Sequence, residues 1–257
     1  MHEDFVGILS SGSVGNSIIV MNSGAGVMVD AGLSCMELER RLSLFGVDPT
    51  QIEALLLTHE HEDHIRGARR FCAVHVTPVY ATRGTFALTG LDNSKKNILS
   101  AGQKVSFGEI VMMPFKVRHF AAEPIAFSVS LVGKRIGIAT DLGSITQNVV
   151  EGMEDSDLLF IEANYDERML LDGRYPDFLK RTIRGDHGHL SNHDAGTLSA
   201  KASTERTKRI ILVHLSKENN TPTAAKKAVV MRLQNIDSSA EVDVSEYGHA
   251  SGPYLLR

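Results

Sequence analysis

The stretch "THEHEDH", Thr58 to His64, places four side chains that bind metals in the pattern His-x-His-x-Asp-His. Imidazole and carboxylate groups are common ligands of divalent ions in proteins. The apolar run "IEALLL" just before it predicts a buried strand. Side chains two apart in a strand point the same way, so the strand end should bring His59 and His61 together, with Asp63 and His64 facing a second ion. The alternative is a histidine-rich helix cap without metal.

Two ions need more ligands than this stretch supplies, and three candidates follow other predicted strands. His119 follows "VMMPFKV", Asp141 follows "RIGIAT", and His214 ends "RIILV". Each alone is better explained as a buried polar residue with a hydrogen-bond partner. As a set at matching strand ends, they are predicted to be ligands. A set without thiolates suits zinc, and also manganese or iron.

The loop "RGDHGHLSNHDAG" holds three of the chain's eleven histidines, His187, His189 and His193, within seven positions. The density of histidines alone suggests that this loop binds a metal. The seven candidates above already satisfy two ions, however, so a histidine in this loop should do different work. His193 lies beside a predicted helix cap at Ser191 or Asn192, which favours a surface role for it.

The elements that must position these residues alternate between short strands and helices. Apolar runs separated by Gly, Asn and Asp predict strands joined by turns, and "LSCMELERRLSLFGVDP" predicts a helix with a capping box at Ser34 and Glu37, ended by Gly46. Two mixed sheets with helices outside them fit this order. Because no linker or change of composition is visible, residues 1–257 are predicted to form a single domain.

Composition limits the class of protein. With 42% hydrophobic and 23% charged residues, the chain is predicted to be globular, and its apolar runs are too short to span a bilayer. "MHEDFVG" lacks the features of a signal peptide, which predicts a cytoplasmic location and no membrane contact. Cys35 and Cys72 lack CxxC spacing and are expected to be buried thiols without a role. A net charge of −4 argues against a protein that is covered in nucleic acid, but it does not exclude a local basic groove on the surface.

The order of these motifs resembles the metallo-β-lactamase fold superfamily. That fold is α/β, a four-layer αββα sandwich of two mixed β-sheets with helices on both outer faces. The resemblance implies two divalent metal ions, Zn2+ and/or Mn2+ with Fe as a further option, that activate the attacking hydroxide. It also implies the site residues: His59, His61 and His119 for the first ion, Asp63, His64 and His214 for the second, Asp141 as the bridge, and Asp30 in "VMVDAG" to orient the site.

A narrower resemblance covers nearly the whole chain: eight stretches, among them "SGSVGNSIIV", "THEHEDHIRG" and "HLSKENNTP", look like the YycJ/WalJ group. This resemblance implies a cytoplasmic, metal-dependent 5′-to-3′ exonuclease acting on double-stranded DNA. Two stretches depart from the group's pattern. Phe120 stands in "RHFA" where "SHDA" is usual, and Tyr165 stands in "EANYD" where "EANHD" is usual. The ligand His119 is retained, so the departures concern substrate contacts nearby.

The group is also similar to tRNase Z, in which a Glu orients a His that protonates the leaving oxygen. The matching residues are Glu162 in "FIEAN" and His189 in "GHLSN". A histidine that titrates near neutral pH suits a general acid. Asp63, His189 and Glu162 are therefore the predicted catalytic residues. The alternative is that His189 only ties its loop to the backbone of the next helix.

The resulting prediction is a dinuclear phosphodiesterase that hydrolyses nucleic acid, with DNA favoured and the oligomeric state left open. Substrate contacts are predicted for Lys217, Asn219, Asn220 and His187. One alternative is a small-molecule phosphodiesterase or thioester hydrolase of the same fold. Another is a regulatory module that binds metal without turnover, which would have no need for Glu162 and His189.

Overall fold

The structure is a computed structural model that describes residues 3–91 and 96–256. It contains two mixed β-sheets of seven strands each with helices around them, as predicted. The chain divides into two compact units. The first unit comprises Met1–Pro114, Ala121–Ile125 and Gly248–Arg257, and the second comprises Phe115–Phe120 and Ala126–Tyr247. The single domain stays a prediction.

The strands are β1 Phe5–Ser10, β2 Ser17–Asn22, β3 Ala25–Val29, β4 Ile52–Leu56, β5 Val79–Ala81, β6 Lys96–Ile98, β7 Val105–Phe107, β8 Ile110–Lys116, β9 Ile125–Leu131, β10 Lys134–Ala139, β11 Leu158–Glu162, β12 Arg209–Val213, β13 Glu241–Val244 and β14 Ser251–Leu255. The α-helices are α1 Cys35–Leu44, α2 Glu62–Ile65, α3 Ala68–His75, α4 Arg83–Thr89, α5 Gln147–Met153, α6 Glu167–Asp172, α7 Asp177–Arg184, α8 Asn192–Ala202 and α9 Pro222–Gln234. Among the described residues, no helix is long and apolar enough to cross a membrane.

The first unit contains a sheet of order β14-β1-β2-β3-β4-β5-β6, in which β3 to β6 run parallel. Helices α1 and α3 pack on it through a buried apolar cluster that includes Leu38 and Phe71. Helix α1 begins after Ser34, whose hydroxyl accepts a hydrogen bond from the Glu37 N–H. The Glu37 carboxylate binds Arg40 and Arg41 instead of returning to the cap, so only half of the predicted capping box forms.

The second sheet has the order β13-β12-β11-β10-β9-β8-β7. Strands β9 and β10 form a hairpin, and Val132 and Gly133 between them both adopt positive φ, as a tight two-residue turn requires. Strands β10 to β13 run parallel. Because parallel strands end at the same edge of a sheet, the residues that follow β10, β11 and β12 are brought together within the second unit.

Candidate metal centre

In the first unit, the His-x-His-x-Asp-His stretch forms a loop that runs into a short helix. His59 Nε2 and His61 Nδ1 lie 3.0 Å apart, and the rings of His59 and His64 are 4.1 Å apart between centroids. The prediction that a strand end brings His59 and His61 together is wrong, because β4 ends at Leu56 and His59 lies beyond it. The loop, followed by α2 with Asp63 and His64, therefore brings the side chains together.

Asp30 holds this loop from the end of β3. Its carboxylate accepts hydrogen bonds from the Thr58 N–H and hydroxyl, both at 2.8 Å, and from His64 Nδ1 at 2.7 Å. Asp30 adopts a left-handed backbone with φ 61°, which a non-glycine residue rarely does outside functional or tightly held positions. Burial raises the pKa of Asp30, and contacts with His64 and Thr58 oppose that rise. These contacts are those expected of a residue that orients a metal ligand.

Asn16, which the sequence did not single out, contacts two predicted ligands from the turn before β2. Its side-chain nitrogen lies 3.0 Å from His64 Nε2 and donates to Asp63 Oδ2 at 3.2 Å. Its backbone N–H donates to the Asp63 carbonyl oxygen at 2.7 Å. The stretch "SVGNS" therefore supports the ligand loop.

Gly32 packs directly against the same loop. An added Cβ would overlap the carbonyl oxygen of Asp63 and lie 2.5 Å from the backbone nitrogen of Asn16. We expect Gly32→Ala to lower the free energy of unfolding by about 1–3 kcal/mol through overpacking, and to lower metal content by displacing Asp63. Urea unfolding and metal analysis measure both effects. The control is Gly185→Ala, whose added carbon meets nothing closer than 3.3 Å; equal results for the two variants would contradict the expectation.

In the second unit, four ligand-type side chains meet at the edge where the parallel strands end. Glu162 ends β11, His214 follows β12, and Asp141 follows β10. Asp141, Glu162, His189 and His214 each place one ligand atom within 4.8 Å of the others. His119 Nε2 also lies 3.6 Å from Asp141 Oδ1.

Glu162 is completely buried and holds two histidines. Its Oε1 accepts from His189 Nδ1 at 2.6 Å and from His214 Nδ1 at 2.9 Å, and its Oε2 accepts from the backbone N–H groups of Leu142 and Leu190. Burial raises the pKa of Glu162, but the charge of His189 and the hydrogen bonds from both histidines outweigh it and lower the pKa overall. Both of its oxygens therefore accept hydrogen bonds from groups within the chain. The contact with His214 was not predicted.

The donor chemistry in each unit fits a divalent ion. Nδ1 of His64, His119 and His214 bonds to Asp30, to the Gly188 carbonyl and to Glu162, respectively. An acceptor at Nδ1 fixes the tautomer that presents Nε2 to a metal. Burial lowers the pKa of His119 to about 4, so its imidazole is neutral at neutral pH, as a ligand must be. The clustered His and Asp residues therefore suit binding of divalent metal.

The depressed pKa of His119 predicts a pH dependence of the chelator-treated protein. Between its ordinary value of 6.5 and about 4, the unfolded chain binds a proton that the folded chain does not. Stability should therefore fall as the pH drops through this window, by on the order of 1–3 kcal/mol. Urea unfolding at neutral pH and at about pH 5 measures it. We expect His119→Asn to flatten the dependence, while His193→Asn, at a side chain 68% exposed, should not; no difference between the variants would refute this.

The four residues predicted to contact substrate differ in their exposure to solvent. Lys217 and His187 are exposed, whereas Asn219 and Asn220 are buried. The Asn220 amide donates to the Ala163 carbonyl at 2.8 Å and exchanges hydrogen bonds with the Asn192 side chain, so it joins the end of β11 to α8. These contacts give Asn220 a structural role, and its contact with substrate stays a prediction.

The two departures from the group's pattern differ in environment. Phe120 is 56% exposed, and its ring centroid lies 5.6 Å from that of His187. Tyr165 is buried, and its carbonyl accepts a hydrogen bond from the Asn192 N–H at the start of α8. Phe120 is therefore the departure that changes a solvent-facing surface.

Comparisons with known proteins agree with this geometry. Residues 26–215 match the family described as Beta-lactamase superfamily domain. The chain is 35% identical over 247 residues to the exodeoxyribonuclease WalJ of Streptococcus pneumoniae, covering 93% of this chain and 92% of that protein. It is 33% identical over 232 residues to the exodeoxyribonuclease YycJ of Bacillus anthracis, covering 88% of each.

Two solved structures share the fold at low sequence identity. The metallo-β-lactamase fold protein YhfI from Bacillus subtilis has a TM-score of 0.74 at 18% identity, covering 96% of this chain and 98% of that one. Human tRNase Z, short form, has a TM-score of 0.65 at 18% identity, covering 97% and 99%. The chain therefore belongs to the WalJ/YycJ family of the metallo-β-lactamase superfamily.

Proposed function

We propose that this chain is a divalent-metal-dependent phosphodiesterase that hydrolyses duplex DNA from its 5′ ends. The observation that carries the proposal is the bond of 2.6 Å between His189 Nδ1 and the buried Glu162, beside Asp141 and His214. Two relatives that are 33% and 35% identical and are named exodeoxyribonucleases support the choice of DNA. A regulatory module without turnover has no need for this pair.

The proposed ligands are the seven residues that the family pattern assigns. They are His59, His61, Asp63, His64, His119, Asp141 and His214. Bound Zn2+ or Mn2+ ions would lower the pKa of water and stabilise negative charge on phosphate oxygens. Within the chain, Asp30 and Glu162 hold His64 and His214 in the orientation that this requires.

His189 is the proposed general acid. Glu162 accepts a hydrogen bond from Nδ1, so the imidazolium form of His189 directs its second N–H, at Nε2, to the oxygen of the departing nucleotide. An alkoxide leaves poorly until it is protonated, so a positioned donor speeds the cleavage of P–O bonds. The His189 side chain is 22% exposed and can therefore be reached by substrate. Glu162 remains ionised and stabilises the imidazolium before its proton is transferred.

Helix α7 supplies a surface for the DNA backbone in the same unit. None of its residues is buried, and it carries Lys180, Arg181 and Arg184. The loop that follows it returns to the helix, where the His189 N–H donates to the Ile183 carbonyl at 2.9 Å. Basic side chains beside the proposed general acid would position a phosphate backbone without reading its sequence.

Digestion of end-labelled DNA tests this function. Purified protein with Mn2+ should release labelled mononucleotides early from duplex labelled at the 5′ end, and late from duplex labelled at the 3′ end. Single-stranded DNA and RNA of the same sequence complete the comparison. Turnover of bis-p-nitrophenyl phosphate or a glutathione thioester with no cleavage of any nucleic acid would instead favour a small-molecule hydrolase. Absence of turnover with every substrate would favour the regulatory module.

A further inference from the structure

A second group of ligand-type side chains lies in the first unit, outside the proposed catalytic ligands. Cys35 begins α1, Glu39 lies one turn later, and His75 ends α3. The Cys35 thiol donates to Glu39 Oε1 at 3.2 Å, and His75 Nε2 donates to the same oxygen at 2.8 Å. One ligand atom from each residue lies within 4.8 Å of the other two.

The apolar core fixes the positions of these three residues. Cys35 and Glu39 are four apart and so lie on one face of α1. Leu38 and Phe71 belong to the buried cluster that packs α1 and α3 on the sheet, and the Phe71 ring centroid is 4.7 Å from that of His75. Cys35 is 8% exposed, and the side chains of His75 and Glu39 are 13% and 36% exposed. The apolar core therefore holds the three side chains in place before any metal binds, and solvent reaches the cluster on its Glu39 side.

We propose that Cys35, Glu39 and His75 form a further metal site, suited to Zn2+, with water as the fourth ligand. Thiolate, imidazole and carboxylate are all zinc ligands, and a tetrahedral site with their usual bond lengths needs about 3.5 Å between sulfur and oxygen and about 3.3 Å between nitrogen and oxygen. The observed 3.2 and 2.8 Å require the ligands to separate by only a few tenths of an ångström.

Metal binding requires that the protons donated to Glu39 Oε1 leave the Cys35 sulfur and His75 Nε2. Burial and the Glu39 carboxylate raise the pKa of the Cys35 thiol to about 11, so without metal it stays protonated at neutral pH. On binding, the Zn–S bond replaces the S–H bond and one proton goes to solvent. The His75 proton moves from Nε2 to Nδ1 by exchange with water, and the Nε2 lone pair binds the ion. No electrons are transferred.

The site would stabilise the backbone that carries the catalytic loop. Helix α1 begins five residues after Asp30, and α3 begins four residues after His64. The two segments that lead into these helices are hydrogen-bonded to each other. The Ala31 N–H donates to the His64 carbonyl at 2.7 Å, and the Gly67 N–H donates to the Ala31 carbonyl at 2.8 Å. A metal that joins α1 to α3 would restrain both segments at once. Its role is a structural clamp, separate from the proposed hydrolysis.

Titration of the full chain with Cd2+ tests this site by the ultraviolet charge-transfer band of a cadmium–thiolate bond. The seven proposed catalytic ligands include no thiolate, and the chain has two cysteines, so the band reports on cysteine alone. We expect one thiolate-bound Cd2+ per wild-type chain, no band in Cys35→Ser, an unchanged band in Cys72→Ser, and at least about tenfold weaker binding in His75→Gln.

Folding and activity controls keep the outcomes distinct. Zn2+ should raise the melting temperature of wild type more than that of Cys35→Ser, and hydrolysis of DNA with Mn2+ should be the same in both. Absence of the band in folded wild type, or its persistence in Cys35→Ser, would overturn the proposed site. Neither result would bear on the proposed nuclease, since that activity depends on other ligands.

Discussion

Replacing His189 with alanine is expected to lower kcat on duplex DNA by about 10²–10⁴-fold, with bound metal unchanged. Glu162 holds His189 Nδ1 at 2.6 Å, and the opposite ring nitrogen is the proposed proton donor. Without it, the departing oxygen must leave as an alkoxide or take its proton from water. Steady-state rates on duplex DNA and metal analysis of the same preparation measure both quantities.

The choice of leaving group separates acid catalysis from a structural effect. p-Nitrophenolate leaves without protonation, so His189→Ala should hydrolyse bis-p-nitrophenyl phosphate at nearly the wild-type rate. His193→Ala, in the same loop and exposed, is the matched control and should be active on both substrates. Equal losses on DNA and on the nitrophenyl ester in His189→Ala would show that His189 does not donate the proton.

Replacing His64 with alanine is expected to reduce both metal content and activity. Loss of a residue that only orients a ligand costs about 10–100-fold, so loss of the ligand itself should cost more than about 100-fold in hydrolysis. His64 is completely buried against Asp30, and its removal leaves that carboxylate short of a partner, at about 1–3 kcal/mol of stability. Metal analysis, DNA hydrolysis and urea unfolding report the three effects.

Two further variants calibrate this result. Asp30→Asn keeps His64 but weakens its orientation, and we expect an intermediate loss of about 10–100-fold. His249→Ala removes an exposed histidine outside every motif and should match wild type. Full metal content and activity in His64→Ala would remove this residue from the proposed ligand set.

The positions of Asp141 and His214 after predicted strands were sufficient to place them together, because parallel strands end at the same edge of a sheet. His214 was placed at a strand end from its apolar run alone, and it follows β12 directly. Glu162 and His189, whose pairing was inferred from a resemblance, lie at hydrogen-bond distance. Strand patterning was sufficient for Asp141 and His214, which follow β10 and β12, whereas the resemblance was needed for the Glu162–His189 pair.

Several contacts between residues distant in sequence were not predicted. Asn16 reaches His64 across 48 residues, and Glu162 reaches His214 across 52. Cys35 was given no role because its proximity to His75 arises only when α1 packs on α3. Neither spacing nor periodicity records which side chains meet after packing, so the role of Asn16 and the contact of Glu162 with His214 required the structure.

The dependence of DNA hydrolysis on bound metal tests the proposed function most directly. Mn2+ is returned stepwise to chelator-treated protein, and nucleotide release from duplex DNA is measured at each loading. We expect no release without metal and a rate that rises until two ions are bound per chain. Full release by the chelated protein, or no release at any loading, would contradict a metal-dependent nuclease.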